Sequence, residues 1–332
     1  MTAKGKLPGE FELIARYFAP LAAKAPGAVG LKDDVFAFAP PPGMDLVLKT
    51  DAITADSHFL RSDPPDLVAR KLLRVNLSDL AGKGARPLGY LMTTAFDDAT
   101  DEAWVAKFVE GLAQDQAEFD IALWGGDTTA TPGPLALTAT LIGAVPSGRT
   151  LRRSGARPGD RILVTGTIGD GFFGLAAHRG TLPNLSGAAQ RFLADRYVLP
   201  QPRLALGRML VEQELAHAGM DISDGLAADL GHICAASGCG ATVDIASVPL
   251  SDPVAELVAG DPALIESAVT GGDDYELLLA VPPGNVAAVL KAAKKAGTSV
   301  TDIGAFTAES AVQFIDRDGQ DLTLEKPGFT HF

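Results

Sequence analysis

Cysteine is nearly absent, with only Cys234 and Cys239, five positions apart, in 332 residues. That spacing is neither a CxxC pair nor part of a metal-binding quartet, so buried free thiols in a reducing compartment are expected. Long apolar runs are lacking too: no stretch approaches the roughly 20 residues that a membrane-spanning helix needs. The opening MTAKGKLPGEFELIARYF has lysines but no uninterrupted apolar run, so no signal peptide is read and a cytoplasmic protein, without a membrane partner, is expected. Positive charge is scarce, 28 Lys and Arg against 41 Asp and Glu, for a net charge of -13. This balance argues against nucleic acid as a partner and repels phosphate compounds unless cations intervene. Several catalytic signatures are missing: no GxxxxGK[ST] loop, no HRD/DFG pair, no HExxH and no GxSxG. GTIGDG at 166–171 matches a dinucleotide-binding pattern only loosely, and a turn that starts a helix accounts for it. His178, His217 and His232 stand in helix-like surroundings and read as structural or surface residues.

What is present is enough apolar material, 47% of residues, to bury large cores, on a chain long enough for two domains. Strand-like and helix-like segments alternate, which points to an α/β or α+β architecture. Strands are predicted at 45–54, 87–96, 121–124 and 134–145, and helices at 65–85 and 101–119. A basic stretch rich in Gly, Pro and Ser, at 146–160, marks a boundary that gives domains 1–147 and 148–332. The second half restarts as strand, glycine turn and helix. Further elements are predicted at 203–218, 225–237, 241–245, 275–281, 285–296 and 300–306, with a DG-turn hairpin in IDRDGQDLTL.

Carboxylates recur where these segments change character: LKDDV, LKTDA, NLSDL, WGGDTT, MDISDGL and GGDDYE. Each has an ordinary structural reading. Ser223 and Asp224 suit a helix N-terminus, and the glycine pairs of WGGDTT and GGDDYE suit hairpin turns. Taken together they suggest a cleft, since crowded carboxylates repel one another unless they bind hard cations. Mg²⁺ takes such oxygen ligands, and bound ions would turn an acidic pocket into a phosphate receiver.

GEFELIARYF, the DD pair at 33–34, TDAITADSHF, NLSDLAGKGARP, WGGDTT, RRSGARPGDRILVTGTIGD, MDISDGLAADLGHI, GGDDYELLLAV and the final GFTHF run in order along nearly the whole chain. This set closely resembles the bacterial thiamine-monophosphate kinases. The resemblance implies a two-domain fold of the aminoimidazole-ribonucleotide-synthetase type. Its N-terminal mixed sheet with helices would pair with a twin across a homodimer, and an α/β domain would follow. It implies MgATP-dependent phosphorylation of thiamine monophosphate to thiamine diphosphate, with several Mg²⁺ ions and no phospho-enzyme. By motif, the metal ligands would be Asp34, Thr50, Asp51, Asp79, Asp127, Asp221 and Asp224. ATP would meet Gly126, Asp127, Arg153 and Ser223, and the thiamine phosphate would meet His58, Asp273 and Phe329.

Three positions depart from the family's pattern. Lys32 stands where Gly is usual, Lys49 where a small hydroxyl residue is common, and Asp273 where Glu is common. Related activities fit less well. A selenophosphate-forming enzyme would need a reactive Cys near the N-terminus, and a hydrogenase-maturation relative would end in Cys. A purine-pathway cyclase and a non-catalytic nucleotide-binding regulator remain as alternatives at this stage.

Overall fold

In the computed structural model of the chain, residues 7–182, 185–322, 324 and 328 are described. The chain divides into two compact units, Met1–Leu80 with Arg86–Ser147, and Ala81–Ala85 with Gly148–Phe332.

The first unit begins with a short helix α1 (Glu10–Leu13), which continues through a π-helical turn and two 3₁₀ pieces to Leu31. Then follow β1 (Met44–Thr54), α2 (Pro65–Gly82), β2 (Arg86–Phe96), α3 (Glu102–Phe119), β3 (Leu123–Ala130) and β4 (Ala136–Pro146). The sheet order is β1-β4-β2-β3, with β2 and β3 parallel and the other pairs antiparallel. This is the mixed sheet that the fold class called for. Along β2, buried Tyr90, Met92, Thr94 and Phe96 alternate with exposed Leu91 and Thr93, the period-two pattern of a half-buried strand. The Tyr90 hydroxyl accepts a hydrogen bond from Gln116 Nε2 at 3.0 Å, so the buried face lies under α3.

α2 and α3 are tied by charge. Arg74 donates from Nε and Nη2 to the two oxygens of Asp115, at 2.8 and 3.0 Å, and Arg70 Nε adds a third donor at 2.7 Å. Asp101 caps α3 by accepting from the Trp104 amide at 2.9 Å, and the helix ends at Asp120 in a left-handed conformation.

The second unit holds β5 (Arg161–Thr165), α4 (Asp170–His178), α5 (Gly187–Val198), α6 (Leu204–Glu212), β6 (Ala218–Asp221), α7 (Leu226–Ser237) and β7 (Gly240–Asp244). It continues with α8 (Asp252–Gly260), α9 (Leu264–Thr270), β8 (Leu277–Val281), α10 (Val286–Ala296), β9 (Val300–Thr307) and β10 (Val312–Ile315). Its six strands lie in the order β10-β7-β9-β5-β8-β6. Both faces are covered. Ile162 and Val164 of β5 pack with Leu226, Leu230 and Ile233 of α7, whereas Leu163 packs with Leu206 and Leu210 of α6 and Val289 of α10. Strands buried on both sides need no alternation, which explains the apolar runs of β5 and β8.

Elements not anticipated are α1, α5, α8, α9, the strand β10 ahead of the hairpin, and β6, a strand that begins where the predicted 203–218 segment ends. The hairpin after β10 is present, with the Asp316 amide donating to Gln320 O and the Leu322 amide to Phe314 O.

Candidate active site

The acids do not all sit at element ends. WGGDTT is not a turn: Gly125, Gly126 and Asp127 lie inside β3, paired with Leu91, Met92 and Thr93 of β2. Gly126 is required because a Cβ there would stand 1.8 Å from Met92 O. Gly126 thus lets β3 lie flush on β2, and the glycine pair does not reverse the chain. Asp127 and Asp34 both line a cavity of about 610 Å³ within the first unit, whose aromatic wall is Phe36, Phe38 and Trp124. Phe36 stacks on Trp124 with ring centroids 4.3 Å apart. The Asp33–Asp34 pair follows three successive left-handed residues, Val29, Gly30 and Leu31. Lys32 itself has a negative φ, -107°, so its position does not call for glycine.

Thr50 and Asp51 lie within β1, inside the strand predicted at 45–54, and Asp79 is in the last turns of α2. Thr50 is exposed and its hydroxyl accepts from Thr140 Oγ1 at 3.0 Å. Asp51 and Asp79 are brought together, with the Lys49 ammonium between them at 3.1 Å from Asp51 Oδ1 and 3.0 Å from Asp79 Oδ2. Burial disfavours the Lys49 ammonium, but the two carboxylates outweigh it and its pKa is raised. Asp51 and Asp127 are not brought together within the chain. The row that starts at Asp127 runs through Thr93 and Thr138 to Ala52, next to Asp51, so three strand spacings, about 14 Å, separate the two sheet edges.

In the second unit, Asp221 is buried at the end of β6 and the SDG turn leads into α7. The expected cap is inverted. Neither Ser223 nor Asp224 caps α7, whose N-cap is Gly225 without a side-chain bond. Instead Asp229, one turn into the helix, reaches back and accepts from the Ser223 and Asp224 amides at 2.9 and 3.1 Å. Burial pushes the Asp229 carboxyl up to about 7, opposed by those amides and by the nearby Arg153 guanidinium. Arg153 and Ser223, both predicted to meet ATP, thus flank one carboxylate. Ligand atoms of Asp224, Asp229 and His232 lie within 4.8 Å of one another.

GGDDYE is likewise not a hairpin but an irregular loop between α9 and β8. Asp273 lies against the SDG turn, its amide donating to Ser223 O at 2.9 Å, and its Oδ1 accepts from the Tyr275 hydroxyl at 3.0 Å. Asp274 is a structural acid that sequence reasoning missed. It is buried and accepts from the Gly169 and Gly171 amides at the start of α4, both at 2.9 Å. Glu276 is buried against Arg196, Arg203 and Thr165. The GTIGDG loop is therefore occupied by a carboxylate of the chain itself.

His58 sits in the turn after β1, where its Nδ1 accepts from the Thr54 amide at 3.1 Å. In the neutral ring this leaves the proton on Nε2, the tautomer that donates. Phe329 lies outside the described residues. Cys234 and Cys239 are free and buried.

The family model for the AIR synthase related protein N-terminal domain matches residues 32–145, and that for the C-terminal domain matches residues 157–317. A thiamine-monophosphate kinase of Caulobacter vibrioides is 44% identical over 98% of this chain and 91% of its own length. The crystal structure of thiamine-monophosphate kinase from Stenotrophomonas maltophilia K279a is 35% identical, covers 92% of this chain and 98% of that one, and superposes with a TM-score of 0.81. The structure of AaThiL complexed with AMPPCP and TMP is 28% identical, covers 98% and 97%, and has a TM-score of 0.77. With both domain models matched in order and relatives aligned from end to end, the chain belongs to the thiamine-monophosphate kinases of the AIR synthase related family.

Proposed function

We propose that the chain transfers the γ-phosphoryl group of ATP to thiamine monophosphate, giving ADP and thiamine diphosphate, in a Mg²⁺-dependent in-line reaction. The observation that carries this reading is the end-to-end likeness to thiamine-monophosphate kinases, together with a structure of AaThiL holding AMPPCP and TMP. Residues 1–147 would supply metal and dimer contacts, and residues 148–332 the remaining nucleotide and substrate contacts. The two buried free cysteines suit a cytoplasmic, reducing location.

Asp34, Thr50, Asp51, Asp79, Asp127, Asp221 and Asp224 offer only oxygen donors, which fits Mg²⁺. Bound there, the metal supplies charge neutralisation between two polyanions. The chain's own groups do the positioning. Phosphoryl transfer needs little covalent help, and the acceptor phosphate, with a second pKa of about 6, is largely ionised near neutral pH. No strong general base is therefore required. His58 Nε2 and Arg153 would donate to phosphate oxygens, and Ser223 with Gly126 would seat the nucleotide. Asp273, aimed by Tyr275, and Phe329 would face the thiamine rings.

Sheet topology supports a homodimer. Asp51 and Asp127 stand at opposite edges, too far apart to share an ion in one chain, and the sheet face away from α3 leaves Leu48 and Leu91 exposed at 65% and 39%. A second copy laid on that face would cover both leucines.

Purified chain with MgATP and thiamine monophosphate should form thiamine diphosphate and ADP in equal amounts, and excess EDTA should stop it. ATP hydrolysis without thiamine diphosphate, or turnover unaffected by EDTA, would contradict the reading.

A further inference from the structure

Lys49 departs from the family pattern, and its surroundings give the departure a role. β1 places residues 49 and 51 on one face, two positions apart, and the last turns of α2 bring Asp79 to the same place. The ammonium lies at 3.1 and 3.0 Å from one oxygen of each carboxylate, and the Lys49 side chain is two-thirds covered. A divalent ion shared by those same two oxygens would sit about 2.0–2.1 Å from each, in the space the ammonium now fills. One position cannot hold both cations. Replacing the ammonium by Mg²⁺ also means pulling a paired charge out of a partly buried site, whereas a neutral side chain at 49 would remove that cation from both carboxylates. The ammonium is tethered, so it competes at a fixed, high local concentration.

We propose that Lys49 is a built-in cation of the site: its ammonium stays on the Asp51–Asp79 pair in place of one divalent ion. This rests on the reading that these carboxylates belong to the metal-binding set. It follows that the chain takes up one metal ion fewer with nucleotide than it would with a neutral residue at 49. The Asp51–Asp79 pair is also held in place before any metal arrives.

The test counts metal directly. The chain is saturated with a non-hydrolysable ATP analogue and titrated with Mn²⁺, and free Mn²⁺ is followed by electron paramagnetic resonance. Lys49→Thr and Lys49→Met, at a strand position that suits either residue, should each bind one Mn²⁺ per chain more than the unmodified chain. Equal counts in all three overturn the proposal while leaving the kinase reading intact. An unmodified chain that binds no Mn²⁺ overturns both. Should neither variant fold, amine acetylation of the unmodified chain, read by peptide mass spectrometry, decides. Lys49 should react more slowly than the exposed Lys24 whether or not Mg²⁺ and the analogue are present. Reactivity that rises to the Lys24 level on adding Mg²⁺ would show the ammonium expelled and would overturn the proposal.

Discussion

Gly125 and Gly126 stand side by side in β3, yet their environments demand different things. A Cβ on Gly125 would meet only Leu91 Cδ2 at an ordinary 3.4 Å, whereas one on Gly126 would stand 1.8 Å from Met92 O. Gly126→Ala should therefore cost roughly 1–3 kcal/mol or more by forcing β3 off β2, while Gly125→Ala should cost less than about 1 kcal/mol. Thermal melting of the two variants checks this, and equal losses would refute it. The cysteines make a second case at this scale. Burial pushes the Cys234 thiol up to about 12 and raises Cys239 as well. A thiol with that pKa is ionised to only about one part in ten thousand at pH 8, so the native chain should be inert to a thiol reagent there and react at both positions after denaturation. Fast labelling of folded protein would contradict it. The buried cysteines were legible from their number and spacing. The inverted cap at Asp229 was not, because a Ser-Asp-Gly turn reads as its own cap, and only the fold shows that the carboxylate inside α7 takes the amides.

Elements were legible where one periodicity dominated. α3 shows a helical stripe and a capping Asp101, and β2 alternates cleanly, so both fell within a residue or so of prediction. β3 was cut short because WGGDTT carries glycines that usually signal a turn. Here Gly126 marks close backbone approach on a parallel edge strand, a tertiary fact. α5, α8 and α9 were passed over; they lend apolar residues to a satellite cluster around Phe173 of α4, and α9 alone of the three also reaches the sheet core, through Val269. The α2–α3 pair offers the element-scale test. Arg74 and Asp115 are 1% and 0% exposed, so truncating Arg74 removes two of the donors that match the buried carboxylate and leaves it to Arg70. Arg74→Met should cost about 3 kcal/mol, and adding Asp115→Asn should recover part of that by removing the buried charge. Urea unfolding followed at the tryptophans, both in the first unit, measures it. A double variant less stable than the single one would refute the assignment.

At the scale of the whole molecule, the sequence carried the family and the two-part fold, because nine motifs in order constrain both. It did not carry the spatial grouping of the acids. Asp51 meets Asp79 through Lys49, Asp34 and Asp127 line one cavity, and the strand order β1-β4-β2-β3 sets Asp51 and Asp127 on opposite edges. Strand order depends on contacts between residues far apart in sequence, which motif spacing does not encode. A single site built from both acids then requires two copies of the chain, related so that each completes the other. Asp51→Asn and Asp127→Asn should each abolish thiamine diphosphate formation. Mixed in equal amounts and allowed to exchange subunits, the two dead variants should recover about a quarter of the unmodified activity, since half the dimers are mixed and each holds one intact site. A mixture as inactive as its components, with exchange verified by mass, would contradict a site shared between copies.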